Sequence, residues 1–480
     1  MTGVDVGSTS GMWRELDDAM AGEVILAGDE RMVLANKHYA AGRRLPAAQA
    51  LLRCRDADDV RRCLAFVRTR GIEFAIRSGG HCFADFSSSE GAIIDLGEMN
   101  SCRQDGDDVR IGPGLLAADL VPALAHVGRA FPTGGCPWVA LGGYCLVGGF
   151  GFLGRCFGLG TDRVQALQVV SADGEVLECD AQRHADLFWA MRGAGAAGLG
   201  IVTALTLRTL PLPPFVICFG VWPMRDAAAV IEGWLQWSVA AEACTNIEAG
   251  LICPDDPDDD CLVKIYGIVV GDDDGIRDEI ARLRTALGPL APRASFRRPA
   301  RDTAAGYLAG LIDHQGGVAW QPSRPYPGCG FQYTRSDFHL REPTRAAIDE
   351  CVRQFEHDRR YAQFRELEFI PWGGAYASAN PHAAFRHRDA RFMVRHTAML
   401  GERADDALRA AASAWVDGSR ATLASQADGH VYQGYADPTL RDWAHAYYGE
   451  TYTRLQQVKR GYDPANVFRH AQSIRLPPSY

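Results

Sequence analysis

Two glycine-rich segments, about 55 residues apart, each carry one side chain that could react with a bound cofactor. The first segment ends at His81, and the second opens with Gly135 and Cys136 and continues through further glycines to Gly151. Glycine lets backbone N–H groups approach a phosphate closely, because no Cβ intervenes and a positive φ costs little. A histidine and a cysteine in such loops can reach a cofactor that lies over them. The pattern therefore predicts a flavin held by covalent bonds.

Three motifs, spread over nearly the whole chain, carry a resemblance to one known family. The motifs are RSGGH at 77–81, CPxV at 136–139 with glycine pairs at 142–143 and 148–149, and YDPAN at 462–466 leading to QSI at 472–474. In this order they resemble the berberine bridge enzyme-like group of FAD-linked oxidases, within the vanillyl-alcohol oxidase superfamily. The resemblance implies an α+β fold with a PCMH-type FAD-binding domain and an antiparallel-sheet substrate domain.

The domain organisation follows from the same resemblance and from chain length. A chain of 480 residues exceeds what one hydrophobic core usually supports, so we expect two domains. We expect residues 1–213 to form the N-terminal part of the FAD-binding domain and 214–430 the substrate domain. Residues 431–480 would return to the FAD-binding domain. The proline-rich stretch at 210–214 supports that boundary, because proline interrupts a sheet interior.

The resemblance also implies how FAD is held. In this family the histidine of the first motif, here His81, bonds to the 8α-methyl group of the flavin, and the cysteine of the second, here Cys136, bonds to ring carbon C6. Two such bonds would fix the ring, and the histidyl link should raise its reduction potential. Cys145, close by, is interpreted as a packing residue. The other residues that the resemblance assigns to cofactor binding are Arg77, Ser78, Gly79, Gly80, Val139, Gly142, Gly143, Gly149, Gly200, Ile201, Asn466 and Gln472.

A general base is needed to take the proton of the substrate as hydride leaves its carbon. The resemblance to sugar and alcohol oxidases places that base at Tyr432, about 40 residues before QSI, with Tyr435 as the alternative. A tyrosine has an ordinary pKa of about 10 and needs help to act as a base. We expect Glu368 to help, because it lies two residues before Ile370, where some sugar oxidases carry an aspartate. In this family a valine at the position of Val139 goes with O2 as the oxidant.

These features predict an FAD-dependent oxidase that oxidises an alcohol or comparable C–H centre of a secondary metabolite. Hydride would pass to flavin N5, and O2 would be reduced to H2O2. Three alternatives stay open: a carbohydrate oxidase, an enzyme of oxidative C–C or C–N bond formation, and a flavin-binding protein without redox activity. Glu368 would suit bond formation better than Tyr432 as the base. The partners expected are a small-molecule substrate and O2, and the oligomeric state stays open.

Composition and charge disfavour several other classes of protein. A net charge of −9 disfavours binding to nucleic acid or anionic membranes, and no stretch reaches the ~20 apolar residues of a membrane span. No spacing typical of a metal site occurs, so no metal is predicted. The N-terminus lacks a basic region followed by an apolar core, and the 14 cysteines are interpreted as reduced thiols. We therefore expect a cytoplasmic protein.

Overall fold

The computed structural model describes residues 6–35, 39, 47–288, 295–299, 301–313, 330–378 and 382–478. A first, four-stranded sheet has the order β1-β2-β4-β3, in which β4 pairs in parallel with both β2 and β3. Its strands are β1 (Glu23–Leu26), β2 (Ala50–Arg53), β3 (Phe74–Arg77) and β4 (Ala92–Asp95), accompanied by helices α1 (Val6–Ala19), α2 (Glu30–Ala35) and α3 (Ala57–Thr69). The Asp56 carboxylate caps α3 by accepting the N–H of Asp59, as the sequence pattern at this position indicates.

A second, five-stranded antiparallel sheet has the order β5-β6-β10-β8-β9. Its strands are β5 (Cys102–Asp105), β6 (Asp108–Ile111), β8 (Val164–Val170), β9 (Val176–Cys179) and β10 (Ile201–Arg208). The segments around it are α4 (Ala117–His126), β7 (Arg129–Ala130), α5 (Leu141–Leu146), α6 (Gly154–Phe157), α7 (Ala185–Ala194) and β11 (Leu210–Pro211), which pairs with β7.

The third sheet has seven antiparallel strands in the order β15-β12-β14-β13-β17-β18-β16. Its strands are β12 (Phe215–Pro223), β13 (Thr245–Cys253), β14 (Leu262–Val270), β15 (Ser295–Arg297), β16 (Phe331–His339), β17 (Gln363–Pro371) and β18 (Phe392–Leu400). The helices between these strands are α8 (Ala227–Ala240), α9 (Asp273–Leu287), α10 (Arg301–Leu308) and α11 (Arg345–Glu356); α12 (Asp406–Ala421) follows β18. The sheet begins next to the proline-rich stretch, and the domain boundary itself stays a prediction.

The two faces of the third sheet differ in character because side chains alternate along each strand. On β17, Leu367 and Phe369 pack into a large apolar core with Trp234 of α8. Glu366 and Glu368 occupy the alternate positions and face the other way, into a cavity. The sheet therefore uses one face for stability and leaves the other for chemistry.

The C-terminal segment packs against the second sheet. Helices α13 (Trp443–Tyr448) and α14 (Tyr452–Tyr462) follow β18 and α12 in the chain. Leu455 and Val458 of α14 share an apolar core with Trp189 of α7, and Ile474 joins the same core. The segment thereby brings residues 468–472 beside the glycine-rich loops.

Four cysteines are joined in two disulfide bonds, so the interpretation of all cysteines as reduced thiols is wrong. Cys156 is bonded to Cys244 and Cys253 to Cys261, with Cα atoms 4.1 Å and 4.5 Å apart. The fold brings these pairs into bonding reach, and the 88-residue separation of the first pair left no signal in the sequence. In the described ranges no helix has the length and apolar character needed to cross a bilayer, and no group of three potential ligand side chains could hold a metal ion.

Candidate active site

A cavity of about 810 Å³ lies where the glycine-rich loops, the C-terminal segment and the seven-stranded sheet meet. Its walls come from the turn after β3, the loops on both sides of α5, the loop between α7 and β10, and residues 468–472. Polar side chains from β13, β14, β17 and β18 supply the remaining wall. The volume falls within the range of cofactor and small-molecule pockets.

His81 reaches this cavity from the turn that follows β3. Gly80, just before it, has a φ of 69°, which glycine adopts without strain. The imidazole of His81 stacks on the ring of Tyr39, with ring centroids 4.3 Å apart. Burial lowers the pKa of His81 to about 3, so the imidazole is neutral at neutral pH. A neutral imidazole has a lone pair on one ring nitrogen and can act as a nucleophile.

Cys136 lines the same cavity from the second glycine-rich segment, and its thiol is not part of a disulfide bond. The two segments touch, since a Cβ on Gly79 would lie only 2.7 Å from the Cβ of Ala140. Gly142 is packed as closely, because its Cβ would lie 2.6 Å from the carbonyl oxygen of Pro113. A Cβ on Gly143 would meet nothing within 4 Å. The chain thus brings the predicted histidine and cysteine into one cavity.

The neighbouring cysteines differ from Cys136 in their surroundings. Cys145 is fully buried in the apolar core, and burial raises the pKa of its thiol, which confirms its interpretation as a packing residue. Cys156 is bonded to Cys244. Cys82 also lines the cavity, and burial raises the pKa of its thiol.

Most of the remaining residues predicted to bind the cofactor line the cavity. They are Ser78, Gly79, Gly80, Val139, Gly142, Gly143, Gly200 and Gln472. Four others lie outside the lining. Arg77 is buried behind the turn and donates from Nε and Nη2 to the carbonyl of Ser87 at 3.2 Å. Gly149 donates its N–H to Tyr432, Ile201 packs into an apolar core, and Asn466 lies in the turn after α14.

A buried ion pair ties the C-terminal segment to the loop after α7. The Lys459 ammonium donates to the carbonyl oxygens of Gly198 and Phe468, at 2.7 Å and 2.6 Å, and to the Asp463 carboxylate at 2.6 Å. Phe468 and Gly198 both line the cavity. Within the C-terminal segment, the amide of Gln472 donates to the carbonyl of Asp437 at 2.7 Å. The bonds of Lys459 hold two cavity walls at a fixed distance.

Tyr432, the predicted base, is buried in the cavity wall between aromatic rings. Its hydroxyl accepts the N–H of Gly149 at 3.0 Å, and its ring lies edge-on to Phe150 and Tyr435 at centroid distances of 5.3 Å and 5.2 Å. Burial raises the pKa of Tyr432 well above its ordinary value, and the hydrogen bond from Gly149 opposes that shift. The phenol is therefore neutral at neutral pH.

Of the two candidate bases, Tyr435 is the one beside a cation, the guanidinium of Arg395. Arg395 donates to its hydroxyl at 3.2 Å, and the guanidinium lies 5.5 Å from the centroid of its ring. Burial raises the pKa of Tyr435 to about 12, while Arg395 acts in the opposite direction. Glu368 hydrogen-bonds to Arg395 and to Tyr266. Glu368 is thus linked to Tyr435 through Arg395, and neither of these hydrogen bonds joins it to Tyr432.

Most of the polar side chains that the seven-stranded sheet contributes to the cavity, here called the polar wall, were not predicted from the sequence. Arg395 lies directly opposite Glu368 across β17 and β18, and Glu248 lies opposite Tyr266 across β13 and β14. Gly250 lies between Lys264 and Glu368, where a Cβ would come within 3.2 Å of the lysine side chain. Alternation of polar and apolar residues on these strands is visible in the sequence. The strand pairing that places these polar residues side by side on one face is not visible in the sequence.

Comparisons with known proteins agree with this arrangement. The chain matches the model of an FAD binding domain over residues 48–180 and that named Berberine and berberine like over 431–475. It is 28% identical over 445 residues to (R)-6-hydroxynicotine oxidase of Paenarthrobacter nicotinovorans, covering 90% of this chain and 92% of the relative. It is 27% identical over 440 residues to the carbohydrate oxidase of Microdochium nivale, covering 84% and 83%.

A solved structure shows the same fold. Physcomitrella patens BBE-like 1 matches with a TM-score of 0.84 at 21% identity, over 97% of this chain and 100% of that one. The two matched models contain His81, Cys136, Tyr432 and Gln472, which meet at the cavity or in its wall. The relatives extend the similarity over most of both chains and are oxidases by name. The chain therefore carries the FAD binding domain and the berberine-like domain, resembles the berberine bridge enzyme-like FAD-linked oxidases over most of its length, and is an FAD-dependent oxidoreductase.

Proposed function

We propose that this chain holds FAD covalently through His81 and Cys136 and oxidises an alcohol or comparable C–H centre of a small metabolite, with O2 as the electron acceptor. The observation that carries the proposal is that both side chains line one cavity, whose other wall is a polar sheet face. When bound, FAD supplies the two-electron acceptor, taking hydride at N5 and passing the electrons to O2 to give H2O2.

The residues present fit this cofactor. Gly79 and Gly142 let the loops pack against Ala140 and Pro113, and the space beside Gly143, which lines the cavity, holds no protein atom within 4 Å of where its Cβ would be. Backbone N–H groups in such loops suit a pyrophosphate. A neutral His81 imidazole and a Cys136 thiol outside any disulfide bond are the two side-chain types that the proposed bonds require.

Tyr432 is our candidate for taking the proton from the substrate. The N–H of Gly149 already donates to its oxygen, and the same bond would stabilise a phenolate there. Tyr435 is the alternative, because the positive charge of Arg395, which donates to its hydroxyl, would stabilise a phenolate at this position. Glu368 is less suited, since one of its oxygens accepts from Tyr266 and the other from Arg395. We assign Glu368 to holding Arg395 in place.

Val139 supports O2 as the oxidant. It lines the cavity three residues after Cys136 and just before α5. An isoleucine or leucine at this position would add volume to the cavity wall and leave less space for O2.

A carbohydrate substrate is the second candidate, favoured by one observation. The side-chain oxygen of Gln332 is buried in the cavity wall and accepts no hydrogen bond from any residue in the described part of the chain. A buried acceptor of this kind suits a donor hydroxyl of a ligand. The similarity to the carbohydrate oxidase of Microdochium nivale agrees with it.

The test is anaerobic mixing of the flavin-loaded protein with a panel of alcohols, sugars and cyclic amines, followed by peroxide measurement in air. We expect loss of the oxidised-flavin absorbance with an alcohol or a sugar, and stoichiometric peroxide. Tyr432→Phe should slow the reduction by about 10²- to 10⁴-fold, as loss of a general base does. Tyr435→Phe is the matched control. A larger loss in the control would transfer the role to Tyr435, and no reduction by any compound would favour a non-redox protein.

A further inference from the structure

The hydroxyl of Tyr266 lies between two carboxyl groups that the proposed mechanism does not use as bases. It contacts Glu248 Oε2 at 2.7 Å and also Glu368. A hydroxyl has one proton and can donate to only one carboxylate. The second contact is a hydrogen bond only if the other carboxyl group brings a proton of its own. Two ionised carboxylates and a phenol share a single proton, the one on the phenol. Two hydrogen bonds need two protons, so one of the carboxyl groups must be protonated.

The charges around Tyr266 indicate which carboxyl group carries that proton. Lys264 donates to Glu366 at 3.0 Å, and Arg395 contacts both Glu366 at 3.0 Å and Glu368. Two cations therefore balance two carboxylates. Among the described residues, no lysine, arginine or histidine lies within ion-pair distance of Glu248.

The other ionisable groups that face Glu248 do not change this balance. They are the phenols of Tyr307, Tyr376 and Tyr435, each with a pKa that burial raises and each neutral at neutral pH. Glu248 itself is buried, with 7% of its surface exposed. Burial, followed by repulsion from Glu368, raises the pKa of Glu248 to about 8.

We propose that Glu248 is a substrate-binding residue held as a neutral carboxylic acid, which donates to Tyr266 while Tyr266 donates to Glu368. Its second oxygen then offers a neutral acceptor to the cavity. Such a wall selects substrates that bring an uncharged hydroxyl donor and disfavours cationic amines, for which an ionised Glu248 would be the better partner. The inference about substrate rests on the proposed oxidase function; the inference about the proton does not.

The proton can be observed without turnover. Infrared difference spectra of the flavin-loaded protein between about pH 6.5 and pH 9.5 should show the C=O band of a protonated carboxyl group that disappears at the alkaline end. Glu248→Gln should lack this band, and Glu232→Gln, on an exposed surface beside Arg345, should retain it. A band of equal size in wild type and Glu248→Gln would overturn the assignment. Because no substrate is present, this result is independent of the oxidase proposal.

The substrate class is tested with the panel compound that reduces the flavin fastest. Loss of the Glu248 proton would remove its hydrogen bond to Tyr266 and leave that hydroxyl between two carboxylates, which disturbs this wall of the cavity. For a neutral hydroxyl compound, kcat/KM should therefore fall above the titration of Glu248, by at most about ten-fold per pH unit. Glu248→Gln keeps a neutral acceptor and should abolish that fall, whereas Glu248→Ala should lower kcat/KM at least ten-fold at every pH. A cationic amine as the fastest compound, with kcat/KM rising through the same range, would overturn the selectivity while leaving the infrared result in place.

Discussion

Replacement of Lys459 by methionine tests whether one buried cation holds two walls of the cavity together. Lys459 and Asp463 are both fully buried, and the ammonium is 2.6–2.7 Å from the carboxylate and from two carbonyl oxygens. Methionine keeps the length of the side chain and removes the charge. Among the described residues, Asp463 would keep the N–H groups of Val467 and Phe468 as side-chain partners, and its buried charge would lose the cation beside it.

The magnitude follows from the cost of an uncompensated buried charge. Removing one partner of a buried ion pair costs about 3–5 kcal/mol. We therefore expect Lys459→Met to lower the free energy of unfolding by that amount in a denaturant titration at neutral pH, with a proportionate fall in midpoint. The variant should also be isolated with less flavin, because Gly198 and Phe468 would no longer be joined.

Two controls make the result interpretable. Arg460→Met changes the adjacent residue, which is exposed and donates to the carbonyl of Pro478 at 3.3 Å, so the free energy of unfolding should change by less than about 0.5 kcal/mol. The double variant Lys459→Met/Asp463→Leu removes both charges and should recover part of the loss. A loss below about 1 kcal/mol for Lys459→Met, or no recovery in the double variant, would refute the reasoning.

Three further predictions concern the loops, the disulfide and pH. Gly79→Ala should cost about 1–3 kcal/mol and lower flavin content, because its Cβ would lie 2.7 Å from that of a neighbouring alanine, whereas Gly143→Ala, with nothing within 4 Å, should leave the free energy of unfolding nearly unchanged. Cys156→Ser should cost about 4 kcal/mol in denaturant, since the bond to Cys244 closes a loop of 88 residues; an unchanged midpoint would contradict it. Burial lowers the pKa of His396 to about 3, so the unfolded chain binds the proton that the folded chain excludes; the free energy of unfolding should fall as pH decreases from about 6.5 towards 3, and His396→Gln should flatten that slope.

Local elements of the fold could be predicted from the sequence because their signals are local. The mostly apolar residues 74–76 followed by Arg77, Ser78 and two glycines are typical of a strand that leads into a turn, and β3 lies there. The apolar residues at 92–94 are typical of a strand and the apolar spacing over 117–126 of a helix, and β4 and α4 lie at these positions. The motifs of the two glycine-rich segments also located the residues that meet at the cavity, although their contact across Gly79 was not predictable.

The polar wall could not be predicted because it depends on strand pairing. Glu248, Glu368 and Arg395 are separated by as many as 147 residues, and only the register of β13, β17 and β18 puts them on one face. The same register explains where Glu368 lies. Its strand neighbour is Arg395, and its hydrogen bonds join it to Arg395 and Tyr266, which connects it with Tyr435 and not with Tyr432. The Cys156–Cys244 bond is non-local in the same way.

The most direct test of the account is the mass of the intact protein after acid denaturation, measured for wild type, His81→Ala, Cys136→Ala and the double variant. We predict that the wild type and each single variant retain the mass of FAD, and that the double variant releases all of its flavin. Release of the flavin from the denatured wild type would contradict covalent attachment. It would also remove the basis for assigning His81 and Cys136 to the cofactor.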